Sequence, residues 1–330
     1  MRILVSGGTG FIGSHTCVEL LNTGHEVVIF DNFYNSKPEA LDKIEKICGK
    51  RPVFYECDML DEAALDRIFD AHAIDVVIHF AGYKAVGESV NEPVKYFYNN
   101  ITGTLCLLRS MQRHKVKNII FSSSATVYGM PETVPIRESF PLGVTNPYGR
   151  TKLMIEEILR DLCMSDGEWS AVLLRYFNPV GGHDSGLLRE DPNGIPNNLM
   201  PRIMQAAKGE IEYLSVLGDD YDTPDGTCIR DYIHVVDLAK GHVSALDYTV
   251  THKGAVAVNL GTGNGYSVLE LVHTFERVNN IKVPYKIVGR RAGDVAKCYA
   301  DTALAERLFG WKASHGIEEM CRDSWKGAIS

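Results

Sequence analysis

The segment RILVSGGTGFIGSHT, Arg2 to Thr16, joins an apolar run, a glycine-rich turn and the start of a helical pattern. RILVS has no polar alternation, as in a strand buried on both faces of a parallel sheet. Gly7, Gly10 and Gly13 follow at GxxGxxG spacing, and behind them Val18, Leu20 and Leu21 mark one helix face. Glycines so placed permit a tight turn, close approach of backbone to a pyrophosphate, and packing of helix on strand. The helix N-terminus then offers N–H groups and positive dipole to phosphates. A tight strand–helix turn without ligand would use the same residues, but the position between a predicted strand and helix favours the dinucleotide reading.

Outward from this unit the alternation continues. EVVIFD (26–31) reads as a second buried strand ending in an acid, PEALDKIEKI as helix, PVFYECD (52–58) as strand, DEAALDRIFDAHA as helix and DVVIHFAG (75–82) as strand. A long amphipathic helix is expected from Asn91 to His114, with Val94, Phe97, Ile101, Leu105 and Leu108 on one face. NIIFSSS (118–124), TKLMIEEILRDLCM and SAVLLRYFN (170–178) add strand, helix and strand. This pattern predicts an α/β protein, a Rossmann-type doubly wound parallel sheet with helices on both faces, over residues 1–178. From 179 turn formers become dense (NPVGGHDSG, EDPNGIPNN, GDDYDTPDG), and a smaller α/β substrate-binding domain is expected over 179–330. RDYIHVVDLAKGHVSAL and AVNLGTG resume the strand–helix pattern. They predict a return to the first domain near 229–262, which makes the second domain discontinuous.

The formal net charge is −8 and no basic run is present. Broad binding to nucleic acid or to an anionic membrane is therefore disfavoured. Eight cysteines form no CxxC and no metal-ligand spacing, so reduced thiols in a cytoplasmic protein, and no metal, are expected. The N-terminal apolar run is too short for a signal peptide, and no apolar run nears the 18 residues of a membrane span.

Ligands of such sheets sit beyond the strand C-terminal ends, where the strand order reverses. Asp31, Asp58, Ala81-Gly82, Ser124 and Asn178 all fall at predicted strand ends. A carboxylate at Asp31 would meet the adenosine ribose hydroxyls and repel a 2′-phosphate, which favours NAD over NADP. Asp58 could accept from the adenine amine or cap the next helix. In NPYGRTK (146–152), Tyr148 and Lys152 lie one helical turn apart on one face. A free phenol, pKa about 10, is a poor base at neutral pH. A neighbouring ammonium and a nicotinamide cation would lower it, letting Tyr148 take a proton from a hydroxyl. Without such a context the pair is a solvated helix face.

With SGGTGFIGSHT (6–16), HFAGYKAVGES (79–89), FSSSATVYG (121–129), PYGRTKLMIE (147–156), LRYFNPVG (174–181), GIPNNLMP (194–201), GTCIRDYIHV (226–235) and RRAGD (290–294), nearly the whole chain resembles the extended short-chain dehydrogenase/reductases. Within them it is similar to the NAD-dependent epimerases of UDP-hexoses. The resemblance implies oxidation at sugar C4, rotation of the 4-keto sugar and reduction from the other face, with NAD kept as a prosthetic group. It implies Tyr148, Lys152 and Ser124 as catalytic residues. Cofactor contacts are implied at Gly7, Gly10, Phe11, Ile12, Gly13, Asp31, Asn32, Asn35, Ser36, Asp58, Met59, Phe80, Ala81, Gly82, Lys84, Asn99, Ser122 and Phe177, besides Tyr148 and Lys152. Core packing would explain Phe80 and Phe177 equally. Related 4,6-dehydratases carry an Asp-Glu pair after the strand that ends at Ser124, and related decarboxylases keep a Glu. Here Ala125 and Thr126 stand there, so elimination lacks its acid and base.

For a UDP-glucose/UDP-galactose substrate the resemblance implies contacts at Lys84, Ser124, Tyr148, Asn178, Asn198, Leu199, Ser215, Val216, Leu217, Arg230, Arg291 and Asp294. The two arginines suit a diphosphate because the guanidinium fork pairs bidentately with phosphate oxygens; Arg290 is expected to be structural. Cys298 stands where narrow hexose epimerases carry a gating tyrosine, with Tyr299 next to it. A small residue there leaves room for UDP-N-acetylhexosamines; a buried small hydrophobe is the alternative reading of Cys298. Rival functions are a UDP-N-acetylglucosamine 4-epimerase, another NAD-dependent nucleotide-sugar-modifying enzyme, or a silent NAD-sensing regulator, which would be expected to lack the Tyr–Lys pair. The resemblance also implies a homodimer through the helices near 91–114 and 150–165, whose apolar faces could equally be buried within one subunit.

Overall fold

The computed structural model describes residues 1–194, 196, 198–291 and 293–329. Ile195 and Asn197 of GIPNNLMP and Ala292 of RRAGD lie outside the described residues. In chain order the first part contains β1 (Arg2–Ser6), α1 (Phe11–Asn22), β2 (Glu26–Asp31), α2 (Glu39–Cys48), β3 (Val53–Glu56), α3 (Glu62–Ala71) and β4 (Val76–His79). Then come α4 (Val86–Asn91), α5 (Pro93–Phe97), a π-helical turn (Tyr98–Thr102), α6 (Gly103–Arg113), β5 (Asn118–Ser124), α7 (Pro147–Ser165) and β6 (Ser170–Tyr176). With the strand Gly254–Leu260 these strands form one seven-stranded sheet, ordered Gly254–Leu260, β6, β5, β4, β1, β2, β3. Every pairing in it is parallel.

Alternation along each strand decides which layer a side chain joins. Ile3 and Val5 pack with α1 and α2 through Val18, Leu20 and Ile44, whereas Leu4 faces α3 and α6 through Leu65, Leu107 and Met111. Both layers are fully buried, which is why β1 reads as an unbroken apolar run. The order reverses on either side of β1, so the crevice opens beyond the C-terminal ends of β1 and β4.

The expected helix over 91–114 is not one regular element. Pro93 opens α5, and the π turn at Tyr98–Thr102 interrupts the register. Its physical reason is tertiary: Asn100 accepts from Tyr83 N (2.8 Å) and donates to Tyr83 O (3.0 Å) and Thr151 Oγ1 (3.1 Å). The predicted apolar face is split as well, with Leu108 buried and Val94 79% exposed.

The later part of the chain builds a second core around Met200, Ile203, Leu214, Val216, Leu271, Phe275 and Met320. It includes the helices Leu199–Ala207, Val268–Asn279 and Ile317–Ile329 and the parallel pair Leu214–Leu217 with Tyr285–Val288. A small sheet pairs Ile229–Arg230 with Tyr266–Ser267 and with Lys297–Cys298. Among the described residues no helix is long and apolar enough to cross a membrane.

Candidate active site

A solvent-open cavity of about 1420 Å3 runs along the crevice. Gly7, Gly10, Phe11, Ile12 and Gly13 form one wall. Gly7 has φ +69°, and a Cβ on Gly13 would lie 2.3 Å from the Gly7 carbonyl oxygen. Any side chain at 13 would therefore displace the turn that leads into α1. Gly10 caps α1 without a side-chain hydrogen bond, leaving the first-turn N–H groups for a ligand.

Asp31 closes β2 and is buried, its carboxylate accepting from Thr9 N (3.2 Å), Phe33 N (3.0 Å) and Ser36 Oγ (3.1 Å). These donors hold an anion at the cavity wall beside Asn32, Asn35 and Ser36. Asp58 does not line the cavity; it accepts from Leu60 N (2.9 Å) and from Asn32 Nδ2 (2.8 Å), one residue removed from the lining. Met59, Phe80, Ala81, Gly82, Lys84, Asn99 and Ser122 all line it, Asn99 being brought in by the π turn. Phe177 points the other way, into a cluster with Val127, Tyr128, Ile136 and Ala300, and its neighbour Tyr176 lines the cavity instead.

Tyr148 and Lys152 come from the first turns of α7. Asn146 caps this helix, accepting from Gly149 N (2.8 Å), and Pro147 occupies its first turn, so the sequence NPYGRTK fixes where the helix starts. Lys152 Nζ donates to Ser122 O (2.6 Å) and lies 5.9 Å from the Tyr148 ring centre. Both residues line the cavity. Ser124, at the end of β5, stands beside the Tyr148 phenol, and its Oγ accepts from Thr126 N (3.2 Å) and Thr126 Oγ1 (3.0 Å). Burial pushes the Tyr148 phenol up to about 12, against the opposing pull of Ser124. The expected lowering is thus not supplied by the chain itself. Burial also pushes the Lys152 ammonium down, to about 7, which weakens it as a resident cation.

The Lys152 shift has a sign that can be measured. From about 7 up to the ordinary 10.5 the unfolded chain binds a proton that the folded chain does not. This group therefore destabilises the cofactor-free protein most at the low end, and stability rises with pH across that window. Lys152→Met is expected to raise the unfolding midpoint of cofactor-free protein at pH 7, with an advantage that shrinks by pH 10. Thermal melts across that range check it; a midpoint difference independent of pH would contradict it.

Of the residues expected at the substrate end, Lys84 and Tyr148 are the ones that line this cavity; the others lie outside its lining. Arg230 Nη2 and Arg291 Nη2 both reach Asp294 Oδ1 (3.5 and 2.6 Å), so the two guanidiniums converge on one carboxylate. Arg230 is further fixed by the carbonyls of Ile229 and Val295 (2.8 and 2.7 Å). Arg290 instead pairs with Asp220 (2.5 Å) over the Tyr221 ring, a structural placement. Ser215 and Leu217 are exposed along Leu214–Leu217, while Val216 is buried. Asn178 is exposed at the start of Asn178–Val180, and Asn198 precedes the helix Leu199–Ala207, where Leu199 packs against the second core. Cys298 pairs in register with Arg230 and packs against the Phe177 cluster. Tyr299 projects elsewhere: its ring lies against Gly265, whose Cβ would meet Tyr299 Cδ1 at 3.0 Å.

The cavity also has members that sequence reasoning missed. Leu188 to Pro192 line it as well, pinned by Lys37–Asp191 (2.7 Å) and Lys84–Glu190 (3.1 Å). Tyr34 and Tyr83 also line it, their rings tilted at 40° with centres 4.4 Å apart. In sequence the 188–192 segment reads only as a turn. Among the described residues no group of three His, Cys, Asp or Glu side chains is placed to hold a metal ion.

A parallel sheet with this glycine turn and a Tyr–Lys pair on the helix beside it defines a dinucleotide-binding protein of the extended short-chain dehydrogenase/reductase class. More narrowly, the model of the NAD dependent epimerase/dehydratase family matches residues 3–261, and the chain belongs to that family. It is 61% identical over 326 residues to the UDP-glucose 4-epimerase of Bacillus subtilis, covering 99% of this chain and 96% of that protein. The UDP-glucose 4-epimerase of Dictyostelium discoideum is 58% identical over 326 residues, with 98% and 95% covered. Among solved structures, the UDP-glucose 4-epimerase of Bifidobacterium longum in complex with NAD+ and UDP superposes with a TM-score of 0.97 at 54% identity. That superposition covers 100% of this chain and 98% of that one.

Proposed function

We propose that this chain interconverts UDP-galactose and UDP-glucose by epimerisation at sugar C4, with tightly held NAD as cofactor. The observation that carries the reading is that Tyr148 and Lys152, with Ser124 beside Tyr148, meet in one cavity with the glycine turn and Asp31. The residues fit the cofactor: the N-terminus of α1 would receive the pyrophosphate, and the Asp31 carboxylate would receive the adenosine ribose hydroxyls and repel a 2′-phosphate. NAD, when bound, supplies the redox chemistry, accepting hydride from C4 and returning it.

The chain's own residues handle the proton. Tyr148 Oη takes it from the C4 hydroxyl and gives it back after the sugar has turned, so one group serves as base and then acid. Ser124 hydrogen-bonds the same oxygen and limits its movement. Lys152, held by the Ser122 carbonyl, offsets negative charge on the phenolate and reaches the nicotinamide ribose. Burial alone raises the phenol, so the base becomes competent only when positive charge enters the cavity. Arg230 and Arg291 exchange Asp294 for the diphosphate, and Asn178, Asn198, Leu199 and the 215–217 strand hold the rest of the nucleotide-sugar.

We extend the substrates to UDP-N-acetylhexosamines, because Cys298 is small and the Tyr299 ring packs on Gly265. We divide the chain into residues 1–178, with a return near 229–262, and 179–330, although Leu188, Ala305 and Trp311 of the second part pack into the first core. Eight free cysteines suit a reducing cytoplasm. Exposed Val94, Tyr98, Leu105 and Met154 on the α5–α6 and α7 helices favour a homodimer through those helices, which light scattering tests. The function is tested by assaying UDP-galactose, UDP-N-acetylgalactosamine and UDP-glucuronate side by side without added NAD. Turnover of the first two is expected, and Cys298→Tyr is expected to suppress only the second. Inactivity on all three would sink the assignment.

A further inference from the structure

Glu190 and Asp191 both line the cavity from the 188–192 segment; Asp191 is paired with Lys37, and neither the glycine turn nor the Tyr–Lys end uses Glu190. Its side chain is 7% exposed. A single oxygen, Oε1, accepts from both Lys84 Nζ (3.1 Å) and Asn198 Nδ2 (2.6 Å). The other, Oε2, is shielded from solvent and has no hydrogen-bond partner. Leaving a buried carboxylate oxygen unpaired costs free energy, and native proteins keep such groups where a partner arrives in function.

We propose that Glu190 positions the bound ligand, fixing Lys84 and Asn198 through Oε1 and accepting a sugar hydroxyl at Oε2. The incoming partner cannot be a phosphate oxygen, which is itself an anionic acceptor. A hydroxyl donor satisfies Oε2 and adds no charge. The carboxyl torsion is soft, so the oxygen can meet a hydroxyl that enters the cavity without moving the backbone. Two ligands bring such hydroxyls, the ribose of the dinucleotide and the hexose of the nucleotide-sugar. Glu190 also keeps the Lys84 ammonium from binding phosphate indiscriminately, because the cation is already paired.

This inference rests on reading the cavity as a site for NAD and a UDP-sugar, and the test separates the two. Wild-type protein should carry NAD through purification and bind UDP-glucose; if it does neither, the underlying reading fails. If it does both, Glu190→Ala and Glu190→Gln are compared with it for NAD content, for calorimetric affinity toward UDP and UDP-glucose, and for thermal unfolding. For a hexose hydroxyl, Glu190→Ala weakens UDP-glucose by about tenfold or more, the loss of a hydrogen bond to a charged group, and weakens UDP far less. For a ribose hydroxyl, it loses NAD while the two nucleotides keep their relative affinity. In either case Glu190→Gln, which keeps an acceptor oxygen, falls between alanine and wild type, and it stands in if the alanine variant does not fold. Wild-type NAD content and affinities in folded variants overturn the proposal. So does an equal weakening of UDP and UDP-glucose at unchanged NAD content, which is displacement of Asn198 alone.

Discussion

Tyr148→Phe is expected to lower kcat for UDP-galactose by about 10²–10⁴-fold, the usual contribution of a general acid–base group. The substitution removes one oxygen and leaves the ring in place beside Lys152, whose hydrogen bond to Ser122 O (2.6 Å) does not involve the phenol. The glycine turn and Asp31 are untouched, so NAD content should be unchanged. KM should move little, since the arginines that converge on Asp294 are also untouched. The loss thus falls on turnover, the signature of an interaction made in the transition state. A variant within tenfold of wild-type kcat, at full NAD content, would remove Tyr148 from the chemistry. Ser124 would not replace it, because an unperturbed hydroxyl is a far weaker acid than a phenol and carries no cation one turn away.

What the sequence revealed of this site follows from burial and local chemistry. β1, β2 and β5 were readable because both faces are buried and each has an unbroken apolar centre, Ile3–Val5, Val27–Phe30 and Ile119–Phe121. The start of α7 was readable too, since Asn146 and Pro147 are local signals that need no tertiary partner. The π turn that brings in Asn99 was not, because it depends on Asn100 meeting Tyr83 and Thr151 from other elements. At Tyr176 and Phe177 the strand and its two faces were evident, but not which face met the ligand, and adjacent residues point oppositely. Glu190 lies among turn formers and becomes distinctive only through Lys84 and Asn198, neither of which its local sequence announces. The Tyr148 pKa fell outside local reasoning for the same reason: spacing gives a cation one turn away, while burial, a property of the whole fold, sets the direction.

Arg175→Leu is expected to destabilise the protein by about 3–5 kcal/mol, the cost of breaking a buried ion pair on one side. Arg175 in β6 and Glu156 in α7 are 1% and 0% exposed. They pair bidentately, Nε to Oε1 at 2.8 Å and Nη2 to Oε2 at 2.5 Å. Glu156 also accepts from Ser123 Oγ (2.5 Å) in β5 and Arg160 Nη2 (3.0 Å). Arg175 Nη1 donates to Tyr128 Oη (3.0 Å), which donates to Asn259 Oδ1 (2.6 Å) in the strand Gly254–Leu260. The pair therefore binds the helix that carries Tyr148 and Lys152 to three neighbouring strands. Removing the guanidinium leaves a buried carboxylate with one cation, Arg160, at its rim, and water cannot reach it. The measurement is the urea midpoint at unchanged slope. Glu156→Leu combined with Arg175→Leu supplies the control: with both charges gone no ion is left stranded, so the double variant should recover much of the single variant's loss. A single variant that costs under about 1 kcal/mol, or a double variant that is the plain sum of the two, would mean that the helix is held by its apolar face, Ile155 and Leu159, and not by this pair.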